Sequence, residues 1–195
     1  MKIKVGVSNR HVHLDEDTFL KLGFTKINEV KVLSQEGEFV SDLVIDLVSE
    51  KGVIPNVRVV GPLRSKTQVE ISRTDAFKLG IKAPVKMSGN FDGASDIILV
   101  NKGNRVLVKN ACILANRHVH CKSSELAKYG WYDGKVLSVK VDGIRGGILE
   151  NVIVKSKDSY NLELHLDTDE ANAFLLNNGD EVEILEEENG NKRNY

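Results

Sequence analysis

Five histidines occur in the chain, and four of them lie in two copies of one pentapeptide, Asn-Arg-His-Val-His. The copies occupy residues 9–13 and 116–120, and each places its two histidines two residues apart. If each copy lies at the end of a β-strand, residues i and i+2 share a face, so that both imidazoles can reach one ion. The spacing therefore predicts two related metal sites, each with a His-x-His pair of ligands.

A second pair of aligned segments supplies a third ligand to each site. Residues 69–76 align with residues 164–171, which puts Glu70 and His165 at equivalent positions. Repeat symmetry therefore predicts a first ligand set and a second ligand set, which are His11, His13 and Glu70, and His118, His120 and His165, respectively. Two histidines with a carboxylate, or three histidines, are ligand sets of catalytic zinc with an open coordination position. The spacing leaves open whether the two ions are separate or adjacent.

The repeat extends beyond the histidines. The segment VGVSNRHVHLDEDTFLKLGF aligns without gaps to CILANRHVHCKSSELAKYGW at an offset of 107 residues, whereas the segments with Glu70 and His165 align at an offset of 95. The first half therefore carries about twelve extra residues, which we place between Gly23 and Arg58. We predict two related halves, 1–92 and 93–195, in an arrangement that allows segments to be exchanged between them.

Short alternating or β-branched segments, separated by turns, make up most of the chain. The predicted strands are 29–33, 43–48, 57–60, 97–100, 105–108, 136–141 and 148–155, and the predicted helices lie near 15–22, 74–79, 122–129 and 168–177. Two of these helices begin with a capping box, Ser72 with Asp75 and Asp167 with Glu170. The pattern predicts a mainly β (α+β) fold of two small β-barrels, or a pair of curled sheets, capped by short helices. The polar segment 186–195 is expected to fray.

Composition excludes several classes of function. The 27 Lys and Arg residues nearly balance the 28 Asp and Glu residues, and the formal net charge of −1 provides no basic field for nucleic acid or anionic membranes. No apolar run reaches the roughly 20 residues that span a bilayer, and the N-terminus lacks the apolar core of a signal peptide. The sequence therefore predicts a cytoplasmic protein that binds neither nucleic acid nor membranes.

The two cysteines are interpreted as reduced packing residues. Cys112 and Cys121 are too few for a disulfide scaffold, and neither has the C-x-x-C neighbour that is typical of a closed structural zinc site. Cys121 follows His120 and should point to the opposite face of its strand.

Several cations lie near the predicted ligands. Arg64 precedes Glu70 by six residues, an even spacing that could project its side chain to the metal side of an extended chain. We expect Arg64 and Lys66 to form an anion site beside a metal. Arg10 and Arg117 lie inside the two histidine motifs, where surface salt bridges are an equally good interpretation.

The residues alone leave more than one class of function open. The sequence has no P-loop, no dinucleotide-binding glycine motif and no G-x-S-x-G elbow. An amidohydrolase barrel also begins with His-x-His but needs about 250 residues. A cupin match is partial, because the residues after His13 indicate the start of a helix. A cupin-like metal-dependent hydrolase or isomerase of a small anionic substrate, and a non-catalytic module stabilised by metal, both stay open.

The chain closely resembles one family, the PduL-type phosphate acyltransferases, which are also called phosphotransacylases or phosphate propanoyltransferases. The resemblance covers nearly the whole chain in order, in the segments VSNRHVH, LSQEGEFV, NVRVVGPLRSKTQVEISRTDAFKLGIKAPVKMSG, ANRHVH and LHLDTDEANA. It implies two β-barrel domains capped by short helices and two zinc ions in one active site. The implied reaction is acyl-CoA + phosphate ⇌ acyl phosphate + CoA, with a short acyl group such as acetyl or propanoyl.

The same resemblance implies roles for individual residues. It gives the two zinc ions the first and second ligand sets, which agrees with the repeat, and it implies that Arg64 holds the phosphate. The implied CoA contacts are Ser8, Asn9, Lys31, Arg58 and Asn172, and the implied assembly is a homodimer. Family members packaged in bacterial microcompartments carry an N-terminal extension, whereas VSNRHVH starts here by Val7. The N-terminus therefore does not support contact with a microcompartment shell, and we expect a cytoplasmic form, with packaging in a microcompartment through another segment as the alternative.

Overall fold

The computed structural model of the chain describes residues 1–185, and the segment 186–195 that was predicted to fray lies outside the described residues. The strands are β1 (Lys2–Ser8), β2 (His11–His13), β3 (Glu29–Val32), β4 (Phe39–Val48), β5 (Val53–Gly61), β6 (Gln68–Ile71), β7 (Val85–Lys86), β8 (Ser95–Asn101), β9 (Asn104–Ala115), β10 (His118–Cys121), β11 (Val136–Val141), β12 (Gly147–Ser156), β13 (Glu163–Asp167) and β14 (Glu181–Leu185). The helices are α1 (Glu16–Lys21), α2 (Arg73–Leu79), α3 (Thr168–Phe174) and a 3-10 helix, Ser123–Tyr129. Within residues 1–185, no helix has the length and apolar character to cross a membrane.

The strands form two closed barrels of six strands each. The first barrel runs in the order β4-β5-β2-β6-β9-β8 and closes between β8 and β4, with β3 and β7 added at its margins. The second barrel runs in the order β1-β13-β10-β12-β11-β14 and closes between β14 and β1. Each barrel surrounds its own apolar core, with Val12 and Leu47 in the first and Val5 and Val119 in the second. The prediction of a mainly β fold with two small barrels and short helices is confirmed.

The two barrels exchange one strand with each other. Strand β1 leads into the first histidine motif, yet it pairs with β13 and β14 of the second barrel. Strand β9 leads into the second motif, yet it pairs with β6 and β8 of the first barrel. Strand β8, which follows residue 92, closes the first barrel against β4. We therefore propose that the two halves exchange β1 and β9, which is the kind of segment exchange that the prediction of halves at 1–92 and 93–195 allowed.

The two histidine motifs occupy equivalent strands. Strand β2 lies between β5, which is parallel to it, and β6, which is antiparallel, and β10 lies between β12 and β13 in the same way. His11 is directly opposite Glu70, and His118 is directly opposite His165. The valine between each pair of histidines is fully buried in its barrel core. Because side chains alternate across a strand, the two histidines of each motif face away from the core on one side.

Capping boxes and ion pairs fix the exchange points. Both predicted boxes are present: Ser72 with Asp75 opens α2, and Asp167 with Glu170 opens α3. The arginine of each motif pairs with the acidic residue of the nearby box, Arg10 with Asp75 at 2.8 Å and Arg117 with Glu170 at 2.8 Å. Both arginines therefore form salt bridges, although the partner of Arg10, the Asp75 carboxylate, is buried and does not lie at the surface. Each crossover is held at the N-terminus of a helix by a charge-assisted hydrogen bond.

The extra residues of the first half form β3 and the loop 33–38, and they cross to the second barrel. The backbone N–H of Glu36 donates to the carbonyl of Ser159 at 3.3 Å. The backbone N–H of Asn161 donates to Oε1 of Gln35 at 3.1 Å. The loop 33–38 therefore ties the two barrels together beside the ligand sets.

Both cysteines are free and buried, as their interpretation as packing residues requires. Cys112 lies in the core of the first barrel and Cys121 in the core of the second. Burial raises the pKa of the Cys112 thiol to about 12, so this thiol stays protonated at neutral pH.

Candidate metal centre and active-site cavity

The two ligand sets line a single cavity of about 540 Å³ to which both barrels contribute. All six predicted ligands are among its lining residues. Within each set, the nitrogen or oxygen atoms that could bind a metal lie within 4.8 Å of one another. The fold thus brings together residues that are up to 154 positions apart in the sequence, as with His11 and His165.

In the first set, backbone carbonyls orient the imidazoles. Nδ1 of His11 lies 2.9 Å from the carbonyl of Asn9, and Nδ1 of His13 lies 3.2 Å from the carbonyl of Val60. A carbonyl only accepts, so each Nδ1 carries the proton and each Nε2 presents a lone pair. Oε2 of Glu70 lies 3.7 Å from Nε2 of His11. The set therefore offers two imidazole lone pairs and one carboxylate.

Burial and charge act in opposite directions on Glu70. Burial alone would raise the pKa of this carboxyl, but His11 and His13 beside it lower the pKa to about 2. Burial, together with the neighbouring His11, also lowers the pKa of His13 well below its usual value. At neutral pH, Glu70 is therefore an anion and His13 is a neutral ligand.

In the second set, three imidazoles face one another. Nδ1 of His118 lies 2.8 Å from the carbonyl of Asn116, which leaves its Nε2 with a lone pair, and this Nε2 lies 3.1 Å from Nε2 of His120. Burial and the neighbouring His165 lower the pKa of His118 to about 4 and also lower the pKa of His120. The buried Nδ1 of His120 has no hydrogen-bond partner among the described residues. The lone pair on Nε2 of His118, the neighbouring imidazoles that resist protonation and the unsatisfied nitrogen of His120 together fit a metal ion.

Cations on the same walls suit an anionic substrate. Arg58, Arg64 and Lys155 line the cavity together with the ligands. The Nη2 of Arg64 donates to Oε1 of Glu38 at 2.8 Å, and both side chains are about one-third exposed. Burial lowers the pKa of Lys155, which is half-buried and lines the cavity.

Comparison with known proteins identifies the family. A family model described as phosphate propanoyltransferase matches residues 4–177. The chain belongs to this family. A phosphate propanoyltransferase of Thermotoga maritima is 43% identical over 188 residues, which cover 94% of this chain and 89% of the relative. One of Salmonella typhimurium is 43% identical over 178 residues (90% and 85%), and one of Rhodobacter capsulatus is 40% identical over 179 residues (90% and 83%). The resemblance drawn from the sequence motifs is thereby confirmed.

In this member of the phosphate propanoyltransferase family, only some of the other predicted site residues line the cavity. Ser8, Asn9, Arg58 and Arg64 line the cavity, whereas Lys31 and Asn172 are exposed and lie outside its walls. The ammonium of Lys66 lies 3.9 Å from the ring centroid of Phe91 and does not line the cavity. The expectation of an anion site shared by Arg64 and Lys66 is therefore wrong. Residues 62–67 do not form a strand, so the even spacing to Glu70 does not fix which way their side chains point.

The polar cavity residues that sequence reasoning missed include four that the site description uses: Gln35, Lys155, Tyr160 and Glu163. The Tyr160 ring stacks on His120, with 3.9 Å between centroids, and Oε2 of Glu163 lies 2.9 Å from Nε2 of His165. The amide Nε2 of Gln35 lies 3.4 Å from the same histidine nitrogen. Of the four, only Glu163 had a signal in the sequence, because it lies two residues before His165 and so shares its strand face.

Proposed function

We propose that the chain is a zinc-dependent phosphotransacylase that interconverts acyl-CoA and phosphate with acyl phosphate and CoA. Membership of the phosphate propanoyltransferase family supports this reaction class. The observation that carries the proposal is that both ligand sets and Arg64 line one cavity. That arrangement puts a site for an anion beside two sites for a metal ion.

The first and second ligand sets would each hold one zinc ion. His11, His13 and Glu70 offer a carboxylate and two imidazoles, and His118, His120 and His165 offer three imidazoles. Three protein ligands leave an open position on a zinc ion. Zinc bound there would supply a Lewis acid for the thioester carbonyl and lower the pKa of the CoA thiol.

Arg64 is the residue that we expect to hold the phosphate. Its planar guanidinium matches two oxygens of a phosphate, and it now pairs with one carboxylate oxygen of Glu38. Phosphate binding would replace this carboxylate with a more highly charged anion. Arg64 would then hold the phosphate oxygen for attack and keep the product acyl phosphate oriented in the reverse direction.

Ser8, Asn9 and Arg58 are proposed to bind CoA inside the cavity, where all three lie. Lys31 and Asn172 are proposed as contacts with the part of CoA that extends beyond the cavity, because both are exposed at the surface. Arg58 donates from Nη1 to the carbonyl of Ser41 at 3.2 Å, which leaves its remaining N–H groups for a phosphate group of CoA.

The proposed reaction is a direct transfer. A phosphate oxygen forms a bond to the acyl carbon, the carbon–sulfur bond breaks, and CoA leaves as a thiolate. No side chain has to carry the acyl group. We propose a short acyl group, acetyl or propanoyl.

The test is thioester formation from acetyl phosphate and CoA by protein of known zinc content, before and after chelation. We expect activity that disappears on chelation and returns with zinc. Protein with two zinc ions per chain that forms no thioester from acetyl or propanoyl phosphate would overturn the proposed reaction and favour the cupin-like hydrolase or isomerase. The predicted homodimer and cytoplasmic location stay predictions, and size-exclusion chromatography with light scattering checks the first.

A further inference from the structure

The position two residues before the third ligand is occupied by different residues in the two halves. Gln68 precedes Glu70, and Glu163 precedes His165. The strand register shows that these two positions are equivalent, because Gln68 lies opposite His13 and Glu163 lies opposite His120. Both side chains share a strand face with the ligand that follows them.

In the first half, Gln68 is buried and held at both ends of its amide. Its Nε2 donates to Oε1 of Glu70 and, at 2.8 Å, to the hydroxyl of Ser88. Its Oε1 accepts from the backbone N–H of Gly89 at 2.8 Å. Because the N–H of Gly89 donates to Oε1 of Gln68, the other end of the amide, the NH2 group, faces Glu70. The side chain therefore presents a donor to the carboxylate.

In the second half, the carboxylate of Glu163 has two polar contacts and occupies space that is left open by a glycine. Its Oε2 lies 2.9 Å from Nε2 of His165 and accepts from the hydroxyl of Ser34 at 2.6 Å. Gly6, which pairs with His165 in the register of β1 and β13, leaves the space for it. A Cβ at Gly6 would lie 2.9 Å from the carboxyl carbon of Glu163, which is closer than real Cβ atoms approach.

The chemistry of the two positions is complementary to that of the two ligands. A carboxylate ligand has only acceptors, and its partner Gln68 supplies a donor. A neutral imidazole ligand has one donor, and its partner Glu163 supplies an anionic acceptor. The carboxylate is nearer to Nε2 of His165 than the Gln35 amide is and so fixes the proton there, which leaves Nδ1 with a lone pair.

We infer that Gln68 and Glu163 are positioning residues, each of which orients the third metal ligand of its set. The inference rests on the proposed function only in that the two sets hold metal ions. Hydrogen-bond partners of metal ligands fix ring orientation and raise ligand basicity, and their loss typically lowers metal affinity by about 10–100-fold. If each residue has this role, its substitution lowers zinc affinity at its own ligand set only. A general contribution to folding would instead affect both sets.

The test measures zinc retention by the full chain, loaded with zinc and challenged with increasing concentrations of a chromophoric chelator. The His11→Ala background isolates the second ion, and the His118→Ala background isolates the first. We expect Glu163→Gln to weaken retention of the second ion by about 10-fold and Glu163→Ala by up to about 100-fold, because a neutral amide oxygen accepts more weakly than a carboxylate. Neither change should affect the first ion. Glu150→Gln, an exposed carboxylate on β12, is the matched control.

Two further variants keep the test decisive if Glu163→Ala folds poorly. Ser34→Ala removes the hydroxyl that holds Glu163 and should weaken the second ion by a smaller factor in the same direction. Gln68→Glu puts a carboxylate against Glu70 and should weaken only the first ion. Unchanged retention of the second ion in Glu163→Gln, or equal weakening of both ions, would overturn the inference and leave the proposed reaction standing. Wild-type protein that binds no zinc would overturn the zinc dependence of the proposed function together with this inference.

Discussion

The first and second ligand sets occupy the same positions in two equivalent barrels, yet they differ in charge. Each set has a His-x-His pair on a strand between one parallel and one antiparallel neighbour, and a third ligand opposite the first histidine. That third ligand is the carboxylate of Glu70 in one set and the imidazole of His165 in the other. With neutral imidazoles, the first set carries one negative charge and the second carries none.

The difference shows that, in two equivalent barrels, the positions of the ligands can be the same while their chemistry differs. Strand register fixes where the three ligands lie, whereas one side chain sets the charge that a bound cation would meet. A second change accompanies the first, because the neighbouring partner switches from the amide of Gln68 to the carboxylate of Glu163. Predictions about the site can therefore be stated as differences between its two halves.

The largest expected effect is the loss of one ion from one set. His118→Ala should reduce two zinc ions per chain to one and lower kcat/KM by about 1,000-fold or more, because a catalytic metal contributes several kcal/mol to transition-state stabilisation. His11→Ala should remove the other ion with a similar effect. Native mass spectrometry and steady-state rates measure both, with Lys4→Ala on β1 as a control. Unchanged zinc content in His118→Ala would contradict the second ligand set.

Arg64 tests an asymmetry between the halves, since the residue at the equivalent offset of 95 is Ser159. Arg64→Ala should lower the rate with phosphate by about 100–1,000-fold, the usual effect of removing one donor to a developing anion, while both zinc ions are retained. Arg64→Lys should restore only part of the rate, because an ammonium cannot bind two oxygens in a fixed fork. Arg145→Ala serves as the exposed control. Loss of both ions in Arg64→Ala would refute a role confined to phosphate.

The two crossover ion pairs should differ in strength. The Asp75 side chain is 4% exposed and that of Glu170 is 21% exposed, although each accepts from a motif arginine and caps a helix. Asp75→Ala should lower the free energy of unfolding by about 2–3 kcal/mol and Glu170→Ala by about 1 kcal/mol, because burial makes the loss of a charged partner more costly. Urea denaturation measures both values. Equal losses would show that the two crossovers are energetically equivalent.

The smallest expected effect concerns Glu38, which has no counterpart in the second barrel because it lies at the end of the extra loop. Glu38→Gln should lower the KM for phosphate by up to about fivefold without changing kcat, since a partly exposed ion pair contributes about 0.2–1 kcal/mol. Glu36→Gln in the same loop is the matched control. A higher KM in Glu38→Gln would mean that Glu38 helps to orient Arg64 instead of competing with the anion.

The sequence predicts which six side chains the fold brings into two clusters, because two simple rules apply to them. Alternation along a strand places His11 with His13, and repeat alignment then points to Glu70 and His165 as the third ligands. The same alternation rule applies to Glu163, but the repeat gives no matching signal for it, because its partner Gln68 is a different residue type. Only the structure shows that Gln68 is a donor to the carboxylate ligand Glu70, whereas Glu163 is an acceptor beside the imidazole ligand His165.

The remaining features depend on which strands pair, and periodicity within a segment carries no information about its partners. Strands β1 and β9 are recognisable as strands, but their exchange between barrels follows from pairing across more than 150 residues in the case of β1 and β13. Lys155 and Tyr160 also line the cavity because of how distant segments pack together, which the pattern within their own segment does not show. Lys66 shows a different failure, because it was grouped with Arg64 on an argument that assumes an extended chain, whereas residues 62–67 do not form a strand.

The reciprocal exchange of β1 and β9 has a meaning for the ancestry of the chain. A single repeat unit would lack one strand of its barrel, and two separate copies could close both barrels by lending each other that first strand. Such mutual lending is domain swapping, a low-cost route to a homodimer. Joining the two copies at the turn between β8 and β9 yields the observed topology, and it lets the two copies carry different third ligands.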